Sequence, residues 1–250
     1  MELVKAQLII RNLGIAVVVW ALLTALEFAK KWPEINLIDL LSLLCGLSFV
    51  GFCIVAMLRN PGPINRVLAV VGIGCGLIFL PGPGFESPAL ASFFSIFRSG
   101  MVLAGFAAML HFLLLFPEPG TFVEHQRNVR VLYFPAFLFW LLLSYRALFP
   151  GTHSTALDTF TYFLTGLIMA SYLLVGVIVF LRRFIKTSKA LRKPLGMHLM
   201  LLGSLAGFLP AGVAYMPALS SVGGHEYFFA SLILLPIVWT RAAALAQTNS

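Results

Sequence analysis

The chain has 250 residues, 60% hydrophobic and 10% charged, against about 25% charged in an ordinary soluble domain. That composition excludes a water-soluble globule. A formal net charge of +8, confined to the edges of apolar runs, argues against a nucleic-acid-binding surface.

From the N-terminus, MELVKAQ leads into an apolar run over 8–28. No small-residue cleavage site follows it, so this first span is expected to stay in the mature protein. Further runs cover 36–58, 67–82, 99–116, 131–149, 159–181, 195–216 and 228–246. Most are long enough to cross a hydrocarbon core of about 30 Å as a helix, the third being short and rich in glycine. Proline and glycine punctuate the gaps, as in Asn60-Pro61-Gly62-Pro63, Pro117-Glu118-Pro119-Gly120 and Pro150-Gly151, which is the chemistry of helix ends and turns. The segment 85–98, carrying Phe85, Phe93, Phe94 and Phe97, reads as a short helix lying at the membrane interface before the fourth span. The expected fold is an all-α integral membrane bundle of about eight transmembrane helices, one polytopic domain over 1–250. A seven-span alternative would place the C-terminus on the other side.

With eight spans and the N-terminus inside, all but four of the seventeen lysines and arginines fall on one side, the exceptions being Lys30, Lys31, Arg98 and Arg146. Short cytoplasmic loops carry such an excess, so both termini are expected in the cytoplasm of a bacterial inner membrane. The run RRFIKTSKALRK supplies Arg182, Arg183, Lys186, Lys189, Arg192 and Lys193. It reads as a loop that obeys this rule and touches anionic lipid, or as a docking surface for a protein partner.

Ionisable groups inside spans are functional candidates by default. Glu27, Asp39, His111, Arg146 and His198 are the candidates, all within about two turns of a predicted helix end with His111 the deepest, and Glu27, Asp39 and Arg146 can reach the outer interface by snorkelling. The spans lack paired carboxylates or ion-coordinating polar runs, and the chain has no zinc-protease, nucleophile-elbow or phosphate-loop pattern. No enzyme activity, metal or cofactor is therefore expected. A haem held by His111 and His198 from neighbouring spans is geometrically conceivable, since both are expected near the cytoplasmic side. Cys45, Cys53 and Cys75 all lie within apolar runs and read as packing residues. Aromatic residues, with Tyr162, Tyr172, Phe208 and Tyr215 foremost, lie on the later spans. They either wall an outward-opening apolar pocket or simply face lipid.

Three stretches resemble a known family. LHFLLLFPEP at 110–119, RKPLGMHLMLLGSLAGFLPAGVAYMP at 192–217 and LILLPIVWTRAAAL at 232–245 resemble spans in the membrane sensor domains of bacterial ComP-like, quorum-sensing-type histidine kinases. Gly203, Gly207, Pro210 and Pro236 occupy matching places. The resemblance covers roughly 95–250, and the chain stops at Ser250 where such sensors continue into an output domain. It implies a stand-alone sensory or signal-coupling module that binds an apolar ligand or lipid and acts through a partner protein. It also implies that His111 bonds to a neighbouring helix and fixes packing where Pro117 ends its own. The other reading is a structural accessory subunit of a larger membrane complex, with a lipid or small-molecule carrier a third.

Overall fold

A computed structural model describes residues 2–30, 37–80, 82, 85–149, 154–214 and 230–249, with side chains placed for 8–24, 26, 37–80, 82, 85–120, 122–149, 154–210 and 230–248. The described chain is helical throughout its regular structure. The elements are α1 (Glu2–Lys30), α2 (Leu37–Arg59), α3 (Pro63–Phe79), α4 (Pro88–Leu115), α5 (Thr121–Glu124), α6 (Gln126–Leu148), α7 (Thr155–Lys186), α8 (Lys189–Arg192), α9 (Met197–Ala214) and α10 (Leu234–Asn249). Among the described residues, five helices are long and apolar enough to cross a membrane: α2, α4, α6, α7 and the helical stretch Ala230–Thr248 that includes α10. Shorter apolar helical stretches run over Leu8–Thr24, Pro63–Phe79 and Met197–Pro210. The chain is a helical membrane protein.

Two helices differ from their sequence-based extents. The stretch 85–98 does not form a separate interfacial helix, because α4 starts at Pro88 and runs unbroken to Leu115. Ser87 is extended at the N-cap and Pro88 occupies the first turn, where its fixed φ suits a helix start. Two phenylalanines of this segment pack against α1, Phe94 edge-on to Trp20 at 5.0 Å and Phe97 at 6.3 Å from the same ring, whereas Phe93 is exposed. Helix α7 begins earlier than the apolar run, since the Ser154 hydroxyl accepts a hydrogen bond from the Leu157 amide, a side-chain cap that offsets one orphan donor.

Cross-links between helices show that α2, α4, α7 and α10 run in one direction and α3 and α6 in the other. At one end, the Asn60 and Asn65 side chains both donate to Gln247 Oε1, joining α2, α3 and α10. At that same end Arg183 of α7 reaches the segment after α4. At the opposite end, Ser42 donates to the Phe79 carbonyl at 2.7 Å, Arg98 donates to the carbonyls of Leu77 and Ile78 at 2.9 and 3.1 Å, and Trp140 donates to the Ile96 carbonyl at 2.9 Å. Arg98 thereby satisfies carbonyls left free where α3 stops, a role that favours a cation at a helix C-terminus. Arg59, Arg66, Arg182, Arg183, Lys186, Lys189, Arg192, Lys193 and Arg241 all fall at the first end, which we call the basic end.

The glycine-rich third run is the hub of the bundle. From Leu68 to Leu77, α3 is buried at almost every residue, packed between α2 and α4 with α1 and α10 at its flanks. A Cβ placed on Gly74 would meet the Gly105 Cα of α4 at 2.5 Å, so these two backbones touch directly. Without a hydrophobic driving force between helices in lipid, such close van der Waals approach is what holds spans together. Cys45, Cys53 and Cys75 are free thiols buried in this same region. By contrast α6 has only 6% of its apolar window buried, against 39% for α2 and α4, so it forms the outward wall of the bundle.

Candidate functional site

His111 sits four residues before the end of α4. Its Nδ1 and the Tyr133 hydroxyl of α6 share a hydrogen bond of 3.2 Å, and the two rings lie edge to face at 5.9 Å. Nearby, Pro135 lies within α6, removing one backbone donor. The Tyr172 hydroxyl of α7 donates to the Leu132 carbonyl at 2.8 Å, three residues before that proline. His111, Tyr133 and Tyr172 thus tie α4, α6 and α7 together through polar groups.

Just beyond, α4 ends at Leu115 and buried Pro117 prevents its continuation. The carbonyls released there are collected by one side chain. Arg183 Nη1 donates to the carbonyls of Phe116 at 2.8 Å and Glu118 at 2.9 Å. Gly120 leaves room for the guanidinium, since a Cβ there would collide with Arg183 Nη2. The stretch HFLLLFPEPG therefore works as a joint: its histidine bonds to α6, and its proline-terminated end is clamped to α7.

Between α4, α7, α9 and α10, close to this joint, lies a cavity of about 380 Å³. Its walls are Met109 and Leu113 from α4, Leu173, Val177, Phe180 and Leu181 from α7, Met200, Leu201, Ser204, Leu205 and Phe208 from α9, and Trp239 from α10. Helix α7 packs on α4 while α9 packs on α10, so α7 and α9 face each other across the cavity. The α9–α10 wall is made rigid by small residues. Side chains at Gly203 and Gly207 would run into Val238 and Leu235 of α10, and Trp239 donates to Ser204 Oγ at 3.0 Å. That bond satisfies the one polar group in the lining, and the remaining surface is almost wholly apolar. A second cavity of about 360 Å³ lies between α4 and α6, lined by residues including Gly100, Tyr133 and Trp140.

The four aromatic residues singled out from sequence are not gathered at one site. Phe208 lines the large cavity. Tyr172 is buried and bonded to α6. Tyr162 is 67% exposed at the opposite end of α7, where the Arg146 guanidinium lies 4.7 Å from its ring centre and Arg146 forms an ion pair with Asp158. Tyr215 lies outside the described residues. The large cavity lies in the half of the bundle toward the basic end, and the second cavity lies toward the opposite end, where Trp140 meets Ile96. Pro210 lies within α9, and Pro236 lies in the first turn of α10, its carbonyl accepting from Thr240 at 2.8 Å.

The basic run is divided in two by its contacts. Arg183 is committed to the joint, and Arg192 donates to the carbonyls of Thr187 and Ile185 at 2.9 and 3.1 Å while its guanidinium lies 4.6 Å from the Phe184 ring. Those two arginines shape the loop. Arg182, Lys186, Lys189 and Lys193 are exposed. The loop closes at Gly196, whose φ of +72° is a left-handed conformation that glycine adopts without strain. A Cβ there would also meet the Ala242 carbonyl oxygen at 2.8 Å. His111 and His198 are engaged by different partners, Tyr133 and Phe184, and no group of three metal-ligating side chains occurs among the described residues.

Sequence reasoning missed Trp239, Ser204 and Tyr133. The available signal was position: Trp239 lies well inside an apolar run instead of at an interface, and Ser204 is the single hydroxyl in the run 195–216 apart from Tyr215. No protein-family model, curated protein or solved structure matches the chain. The likeness to ComP-like sensor domains rests on the quoted residues alone.

Proposed function

We propose that the protein is a membrane-embedded sensory or signal-coupling module that takes up an apolar ligand or lipid chain and acts through a protein partner. The observation that carries this reading is the apolar cavity of about 380 Å³, whose size falls within the range of about 300–1,000 Å³ found for ligand pockets. Its walls include α7 and α9, the two helices joined by the basic loop, so filling it would press on the element best placed to meet a partner. The eight apolar helices are read as eight spans, with the basic end and both termini in the cytoplasm of a bacterial inner membrane by the bias in lysine and arginine.

A structural accessory role is the second reading, favoured by the broad outward face of α6. There Val131, Phe134, Phe137, Leu138 and Leu141 are all exposed, and a larger membrane complex would cover them. Gentle solubilisation, capture through a C-terminal tag and mass spectrometry of proteins and small molecules separates the two. A stoichiometric kinase or regulator together with a bound amphiphile supports the sensory module. A stoichiometric respiratory or transport complex without any bound small molecule supports the accessory subunit.

A further inference from the structure

The rows of residues that line the cavity continue one helical turn toward the basic loop. Residues three or four apart share a helix face, so the α7 row Val177 and Leu181 leads to Phe184, and the α9 row Ser204 and Leu201 leads to His198. Those two residues meet edge to face with ring centroids 5.3 Å apart, and Arg192 covers the other part of the Phe184 ring. The apolar slot therefore ends on a ledge carrying His198 and Arg192, with the exposed side chains of Lys189 and Lys193 flanking Arg192 in the loop. No carboxylate occurs between Arg182 and His198, and neither of those two lysines takes part in an ion pair among the described residues.

We infer that the cavity holds one acyl chain of an anionic phospholipid, with its phosphate on the ledge formed by Lys189, Lys193 and His198. This rests on the reading of the cavity as a ligand site and names the class of ligand. A methylene takes about the room of a water molecule, about 30 Å³ in the liquid, so 380 Å³ accommodates about a dozen chain carbons. That is one chain and not two, which leaves the second chain in the bilayer beside exposed Val177 and Leu205. Entry is lateral, because α7 and α9 line the slot without packing along one another. Several cations around one slot match a phosphodiester head outside the cavity better than the carboxylate of a free fatty acid, which carries its charge at the chain's own end. Lipid of a negatively charged leaflet is also attracted to such a cluster before it enters.

The test uses the full chain in a mild non-ionic detergent, titrated with phosphatidylglycerol, with phosphatidylcholine of identical chains, and with oleate, and read by native mass spectrometry. One phosphatidylglycerol per chain should be retained at least tenfold more tightly than either competitor. The double substitution Lys189→Glu and Lys193→Glu, at exposed positions, should erase the preference while leaving phosphatidylcholine retention unchanged. Val177→Trp and, separately, Leu205→Trp should lower retention of all three molecules. Equal retention of phosphatidylglycerol and phosphatidylcholine by the unaltered chain overturns the headgroup assignment and leaves the cavity as a site for an apolar chain. Stronger retention of oleate assigns the slot to a fatty acid and overturns the phospholipid. Unchanged retention in both tryptophan variants, each still folded by thermal unfolding, places the lipid elsewhere and overturns the cavity reading as well.

Discussion

Arginine 183 provides the sharpest check on the joint between α4 and α7. Replacing it with alanine removes two hydrogen bonds from a charged donor, to the carbonyls of Phe116 and Glu118 at 2.8 and 2.9 Å. A bond to a charged group contributes about 1.5–3 kcal/mol when its partner is shielded. The Phe116 residue is fully buried, whereas Glu118 is exposed and its carbonyl can turn to water, so the second bond adds little. A net loss of about 2–3 kcal/mol follows, which for a chain of this size corresponds to about 5–10 °C in unfolding midpoint. Arg182→Ala is the matched control: it removes the same charge one residue earlier, from an exposed side chain, and should shift the midpoint by less than about 1 °C. The assay is tryptophan fluorescence during heating in detergent, at one fixed scan rate because membrane proteins commonly unfold irreversibly. Equal midpoints for the two variants would refute the argument that Arg183 gathers the carbonyls released at Pro117.

Gly74→Val should abolish the folded protein, since its backbone touches that of Gly105, while Gly51→Val, where nothing lies within 4 Å, should express and elute normally by size-exclusion chromatography. A double-mutant cycle between His111→Ala and Tyr133→Phe should give a coupling of about 0.6 kcal/mol, the usual size of an interhelical hydrogen bond in a membrane; additive effects would mean that the pair carries no bond. Asp158→Ala should destabilise by about 1–2 kcal/mol and more than Arg146→Met, because removing the carboxylate leaves the more deeply buried partner charged and unpaired; thermal unfolding of the two variants side by side decides it. Gly203→Leu should separate α9 from α10 and raise the accessibility of Trp239 to an aqueous quencher, with no such change for Gly166→Leu, where the structure is open.

Hydropathy and composition are local quantities, and they located the helices well. The stops at Pro117 and near Gly62 are legible because proline and glycine act on their own backbone. The segment 85–98 reads in sequence as a separate interfacial helix, whereas α4 runs through Arg98, whose guanidinium is absorbed by α3 carbonyls. The third run looked weak for its many glycines, yet those glycines let α3 occupy the centre. Glycine lowers helix propensity in isolation and raises packing density only when another backbone is present to approach.

The candidate site was much less legible. Phe208 was singled out for being aromatic and does line the cavity, but Tyr162 and Tyr172 share its composition and not its location. Arg183 and Lys186 stand three residues apart in one basic run, and only the position of residues 116–120 commits the first to the fold and leaves the second exposed. By itself the sequence determined that the chain is helical, membrane-embedded and basic at one end, since each of these follows from the transfer free energy and backbone preference of residues taken one stretch at a time. Only the tertiary structure decided where a cavity opens and which cations are free to face it, because both depend on helix faces brought together from residues up to 130 positions apart, from Met109 to Trp239.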